Sequence, residues 1–205
     1  MQRETRRSNK ERTEATRAAL IEAARRLFVE RGYAETATPD IVAAAGVTRG
    51  ALYHHFADKQ ALFRAVVEQE AATIAVEIER RAPATLSAAE ALLAGGDAYL
   101  DAMREPGRTR LLLLDGPAVL GREEMDAIDE RHGNRTLREG LVAAMRRRDI
   151  SNVPVDALTV LVGAAFDRAA LAIDRGGDRD AFRLAMRALI EGLLDGGTRA
   201  HDGDG

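Results

Sequence analysis

The sequence predicts an all-α protein in two parts, a small N-terminal unit of three helices and a larger helical body. Three observations lead there. Ala, Leu, Arg and Glu dominate the 205 residues, five prolines interrupt them, and runs of Val, Ile, Thr and aromatics are few; that composition favours helix over strand. Apolar residues recur at three- and four-residue spacing, the period of a helix with one buried face. Helix starts and stops stand where those stretches begin and end. Hydrophobic residues make up 46% of the chain, enough for a real core, and charged residues 31%.

The elements follow in order. Residues 1–12 are polar and without apolar periodicity, and read as a flexible basic arm. From about Thr13, the residues Leu20, Ala23, Ala24, Leu27 and Phe28 lay out one helix face, and Gly32 stands where a cap belongs. Thr38-Pro39-Asp40 reads as a helix start: a capping hydroxyl, a proline in the first turn, an acid near the positive end of the dipole. That helix stops at Gly46. Thr48 caps a short helix from Arg49 to His55, and Asp58 caps a long one from Lys59 to near Pro83. Helix, three-residue turn (Gly46-Val47-Thr48) and helix make a helix-turn-helix, with Val47 as the apolar plug.

The body continues in helices. Ala88–Met103 is one, weakened by Gly95-Gly96. Pro106-Gly107 opens a segment containing Leu111-Leu112-Leu113-Leu114, which ends at Asp115-Gly116-Pro117. Residues 122–148 form a long polar helix or a kinked pair, and Asn152-Val153-Pro154 is a turn. Residues 155–174 and 179–195 form a helical hairpin across Gly176-Gly177. The Gly- and Asp-rich stretch 196–205 reads as a disordered tail. The expected division is therefore 13–58 and 59–195, with 59–81 as the connecting helix.

Charge and composition exclude several classes. The net charge of -3 hides an asymmetry: residues 1–65 carry 12 Lys and Arg against 8 Asp and Glu, leaving 18 against 25 in the rest. A basic N-terminal third on an acidic body suggests a polyanionic partner at one end. There is no cysteine, which excludes disulfides and thiolate metal sites and is compatible with the expected cytoplasmic location. No apolar run of about 18 residues offers a membrane span, and the polar start Met1–Arg7 is unlike a secretory signal. No Gly-rich phosphate loop, nucleophile elbow or paired acid/base motif suggests an enzyme, and no cofactor is expected. His54 and His55 point about 100° apart on a helix and cannot readily share a metal.

The short helix carries the functional signal. Leu52 and Phe56 fall on one side of it and face a core. Gly50 and His54 fall on the other, flanked by Ala51 and Tyr53. A solvated face would carry more charge; this one suits a partner at close range. At about 1.5 Å per residue the helix is roughly 12 Å long, near the width of a DNA major groove.

From Arg17 to Val67 the sequence resembles the DNA-binding region of the TetR family nearly position by position. The resemblance rests on Ala23-Ala24, Leu27-Phe28, Gly32-Tyr33, Asp40-Ile41, Ala45-Gly46-Val47, Gly50, Leu52-Tyr53, His55-Phe56 and Lys59. Val42 stands where Ala is commoner, and Ala57-Asp58 replaces a commoner Lys/Ser pair. The resemblance implies an N-terminal DNA-binding domain, a variable helical domain for ligand binding and dimerisation, and a ligand-responsive repressor on double-stranded operator DNA, the alternatives being an effector-independent DNA-binding protein or an activator of the same fold. The DNA-contacting set is then Thr38, Thr48, Arg49, Gly50, Ala51, Tyr53, His54 and Lys59. Thr38 and Thr48 sit at helix N-termini that can bind phosphate or merely be capped. Arg49 can reach phosphate or a guanine edge. Gly50 lets the backbone approach, Tyr53 and Lys59 match phosphate-contacting positions of the family, and His54 points most directly at the bases. His55 leans inward. Arg3, Arg6, Arg7, Lys10 and Arg12 add contacts from the arm or are simply solvated.

In the body, the helix from residue 155 is apolar nearly all round, so it is buried on two faces. The expected homodimer interface is Leu158, Leu161, Val162 and Ala165 with Phe182, Ala185, Met186, Leu189 and Leu193, two copies of the hairpin making a four-helix bundle. A pocket for a small, lipophilic effector is expected among Met103, Leu112, Leu113, Asp115, His132, Met145 and Phe166, each of which also suits plain core. The segment Leu111–Gly121 with Asp129–Gly133 resembles a C-terminal subgroup of the family's actinobacterial members.

Overall fold

The computed structural model describes residues 9–83, 85–150 and 153–196, and among these no strand occurs. Arg3, Arg6 and Arg7, the start of the turn at Asn152 and the tail from residue 197 lie outside the described residues. Helix α1 spans Asn9–Glu35, broken at Gly32 (φ 83°, ψ 166°). It takes in the last four residues of the expected arm. Those residues lack an apolar face but hold their turn with polar groups: Arg12 Nη2 donates to Asn9 Oδ1 (2.6 Å) and the Thr13 hydroxyl to Asn9 O (2.9 Å).

Helices α2 (Thr38–Ala45) and α3 (Arg49–His55) lie across α1. The turn between them is set at Gly46, whose φ of 65° lies in the left-handed region. Its N–H donates to Ala43 O (3.2 Å) and that of Val47 to Val42 O (3.2 Å), a paired closure that glycine adopts without steric cost. Val47 is half-buried against the core, as its plug position predicts. Helix α4 (Lys59–Arg81) begins with Asp58, whose carboxylate accepts from Ala61 N (2.7 Å), and runs from the three-helix unit into the body. Leu62, Phe63, Val66 and Val67 are buried, and Phe28, Tyr33 and Phe63 form an aromatic trio with centroids 5.0–5.7 Å apart. The head core therefore rests on α1 and α4 together.

The body holds α5 (Ala88–Ala102), α8 (Arg122–Arg131), α9 (Gly133–Arg147), α10 (Val155–Asp174) and α11 (Arg179–Gly196). Ser87 and Glu90 cap α5 reciprocally. The Gly95-Gly96 pair does not break α5. A Cβ at Gly96 would lie 2.5 Å from Phe166 Cζ, so the missing side chain is what lets α10 close on α5. The polar stretch 122–148 is a kinked pair, with the break at His132 (φ −127°, ψ −93°).

The segment expected to end at Asp115-Gly116-Pro117 instead continues. α6 (Arg108–Arg110), a π-turn (Leu111–Asp115) and α7 (Gly116–Leu120) form one run. Gly116 N donates to Leu111 O, five residues back. Pro117 has no N–H for Leu113 O, and its ring would crowd that carbonyl in a regular turn; a widened turn just before it carries the helix through.

Candidate nucleic-acid interface

The buried and exposed sides of α3 fall as the spacing predicts. Leu52 and Phe56 are buried beneath α3, while Arg49, Gly50, Tyr53 and His54 are exposed and Ala51 is half-buried. Thr48 caps α3, its Oγ1 accepting from Ala51 N at 3.1 Å; the hydroxyl hydrogen stays available to a phosphate oxygen. The Arg49 guanidinium lies 5.6 Å from the Tyr53 ring centroid, which holds both side chains on one edge of the helix. His54 and His55 rings are 5.3 Å apart. His55 is half-buried, and its pKa is lowered first by burial, then by His54 and Arg17.

One expected role changes, and one residue has partners that its expected role did not include. Thr38 is not a cap: Ala37, in extended conformation, holds that place, no side chain caps the terminus, and Thr38 is the first residue of α2 with Pro39 next. Proline needs no N–H partner there, so α2 starts one residue earlier than the hydroxyl suggests. Lys59 does not extend toward solvent. Its Nζ donates to Tyr33 O (2.9 Å) and Thr36 O (3.0 Å) and lies 4.2 Å from the Tyr33 ring centroid. It donates to two carbonyls where α1 ends, of which Tyr33 O also accepts from Thr36 N (3.4 Å), and so ties α4 to α1. Lys59→Ala is expected to lower the unfolding free energy by about 1–3 kcal/mol in urea, the cost of removing a charged donor from the part-buried Thr36 carbonyl; unchanged stability would show that the bond adds nothing net.

Sequence reasoning missed Thr36. It is fully buried, and its Oγ1 lies 2.8 Å from Gly32 O and 3.2 Å from Leu27 O. One hydroxyl thus closes the end of α1 and fixes where α2 sets off. Polar residues in a short connection look solvated in sequence, so nothing local marked it.

The body residues are placed differently from one another. Met103, Leu112, Met145 and Phe166 are buried core and Leu113 is half-buried. Asp115 pairs with Arg110 (3.3 Å), and His132 lies 2.6 Å from Glu68. A crevice between α5, α10 and α11 is bordered by Phe166 with Leu93, Gly96, Leu100, Met186 and Ile190, and its volume is ≈ 10 Å³, room for one water at most. On the hairpin, Leu161 (69% exposed), Leu189 (62%) and Ala185 face outward, joined by Val160 (63%) and Leu184 (69%), which the periodicity had not singled out. Val162, Ala165, Phe182 and Leu193 are half-buried. Leu158 and Met186 point into the chain's own core, because α10 is turned so that 157, 160, 161 and 164 form its outer stripe.

The fold and site define a helix-turn-helix protein with a helical body. Residues 20–66 match the bacterial regulatory proteins of the tetR family, and residues 89–197 match the tetracyclin repressor-like C-terminal domain. The HTH-type transcriptional regulator TtgR of Pseudomonas putida is 50% identical over 62 residues, 30% of this chain and 30% of TtgR's own length; the chain thus spans under a third of that relative. The HTH-type transcriptional repressor AcnR of Corynebacterium diphtheriae is 28% identical over 179 residues, 86% of this chain and 90% of AcnR. A TetR-family transcriptional regulator from Pectobacterium atrosepticum superposes with a TM-score of 0.70 at 34% identity, covering 93% of this chain and 97% of that one. The chain belongs to the TetR family of bacterial regulatory proteins.

Proposed function

We propose that this chain is a sequence-specific DNA-binding regulator, a non-enzymatic repressor that acts in the cytoplasm as a homodimer on a near-palindromic operator. Residues 13–58 serve as the DNA-binding domain, 59–81 as the connecting helix, and the rest to 195 as the body. The observation that carries the reading is the exposed face of α3: Arg49, Gly50, Tyr53 and His54 outward over buried Leu52 and Phe56. Two such helices, related by a two-fold axis, fit successive major-groove half-sites. No helix among the described residues is long and apolar enough to cross a membrane.

The test is selection of bound DNA from a random pool with the full-length dimer. A recovered near-palindrome is the expected result; recovery of no motif by a well-folded protein would overturn the reading. Within that motif, His54→Ala is expected to relax preference at one position per half-site, worth about 1–3 kcal/mol of discrimination. An unchanged motif would remove His54 from the readers.

Ligand response is the body's proposed role, with a lipophilic effector that favours a head spacing unfit for the operator. A second reading, a regulator without an effector, is favoured by the filled body, where Phe166 occupies the space over Gly96. A panel of lipophilic small molecules tested for operator release separates the two.

A further inference from the structure

We propose that the buried triad Arg25–Glu70–Arg108 is the joint that sets the angle of the DNA-reading head on the body, with Arg108 as its positioning residue. The proposal rests on the DNA-binding reading above. Three distant stretches of chain meet here. Arg25 lies on α1 of the head, Glu70 midway along α4, and Arg108 at the start of the run that passes through the π-turn. Glu70 and Arg108 are buried and Arg25 is partly so. Glu70 Oε1 accepts from Arg25 Nε (2.8 Å), and Oε2 from Arg108 Nε (2.7 Å). Arg108 Nη1 also donates to Ala102 O at the end of α5 (2.7 Å), and Thr109 Oγ1 to Met103 O (2.8 Å). One carboxylate thus fixes the head to a body segment that is itself pinned to α5. Glu77 (3.7 Å from Arg108) and Glu105 (3.9 Å from Arg25) balance the second guanidinium.

The contact continues along one stripe of α1. A Cβ at Gly107 would overlap Val29, and a Cβ at Gly32 would lie 2.6 Å from Arg110 Nη2. Val29 of the head therefore packs closely against Gly107 of the body, Gly32 lies beside the Arg110 guanidinium, and Arg25 and Arg108 meet through Glu70. Burying three charges is a poor way to gain stability, since well-packed apolar residues usually serve as well or better. What the forked, directional bonds add is one fixed relative orientation. The widened turn that follows immediately is the place where residues 108–120 can shift against α4, and Arg108 passes any such shift to α1 through Glu70.

The prediction concerns spacing, not only strength. Moving two half-sites apart by one base pair displaces one by about 3.4 Å and turns it by about 35°. The experiment titrates the full-length dimer against operators whose selected half-sites are moved by one, two and three base pairs either way. The parent is expected to lose about tenfold or more in affinity per step away from its best spacing, because its heads are held. Glu70→Gln and Arg108→Lys are expected to keep the half-site motif and flatten that profile to about threefold, with thermal melting of the protein and light scattering confirming a folded dimer. Arg25→Gln, at the more exposed end, keeps the test open should the buried variants fail to fold. A purely structural triad would lower affinity equally at all spacings; parallel profiles overturn the proposal. Failure of the parent to select any two-part motif would instead overturn the DNA-binding reading, and the joint with it.

Discussion

Leu161→Asp is expected to yield a folded monomer of 22.2 kDa that no longer holds a two-part operator. Leu161 lies on the outer stripe of α10 and makes little contact within its own chain, so the protomer should keep its melting temperature to within a few degrees. In a two-fold bundle the same position is buried twice, near the axis. An unpaired carboxylate there costs about 3–5 kcal/mol, and symmetry doubles it. Light scattering reads the mass directly. Operator affinity should fall by about 10²–10⁴, the effective concentration lost when two heads are no longer linked. Leu158→Asp is the contrast: Leu158 faces the protomer core, so it should lower stability rather than split a stable dimer. A Leu161→Asp protein that keeps the dimer mass would place the interface elsewhere.

Asp129→Asn is expected to stabilise the protein at pH 8 and to do little at pH 4. Asp129 lies on α8, where Asp167 and Asp126 repel its charge and Arg122 acts in the opposite direction. Burial first, then Asp167, push its pKa up to about 7. Asp167 is raised as well, mainly by burial, although the Tyr99 hydroxyl donates to it at 2.5 Å. The folded chain thus keeps a proton that the unfolded chain releases near pH 4. Its contribution is complete below about pH 4 and is lost as pH rises to about 7. The span corresponds to a ceiling of about 4 kcal/mol. Solvent reaches part of the carboxyl, so a gain of about 2 kcal/mol for the amide at pH 8 is the working figure. Glu68, Glu70 and Asp97, whose pKa values are lowered, act in the opposite sense, and their contributions fade only as pH falls below about 4.5. Urea unfolding of parent and variant at pH 5 and pH 8 isolates the Asp129 part. An equal difference at both would show that it does not titrate in this window.

How far the sequence carried varies by the range of the interaction. α3 was legible because its signals are local: Thr48 at the cap, Leu52 and Phe56 four apart, glycine at the turn. The hairpin was legible for the same reason, whereas 122–148 stayed open as one long helix or a kinked pair until the break at His132 decided it. The phase of α10 was not. A helix apolar on nearly every side offers several stripes of equal quality, and only its packing on α5 chooses 160, 161 and 164 as the outer one. The bonds of Lys59 and Thr36 were missed because their partners are backbone carbonyls, which leave no mark in sequence. Glu70 and Arg108 are 38 positions apart, and no periodicity relates them. The candidate DNA face could thus be drawn from residues 48–56 alone, while the groups that orient it could not.

The seating of Phe166 over Gly96 has a kinetic consequence. If that ring must swing aside before a molecule can enter, the apparent affinity of any effector is diluted by the fraction of time the body stands open, about a hundredfold for a state populated at 1%. Observed association rates would then level off with rising concentration, at the rate of opening. Widening the space by trimming Phe166 to leucine would raise that ceiling and tighten binding together, with no new contact to the effector.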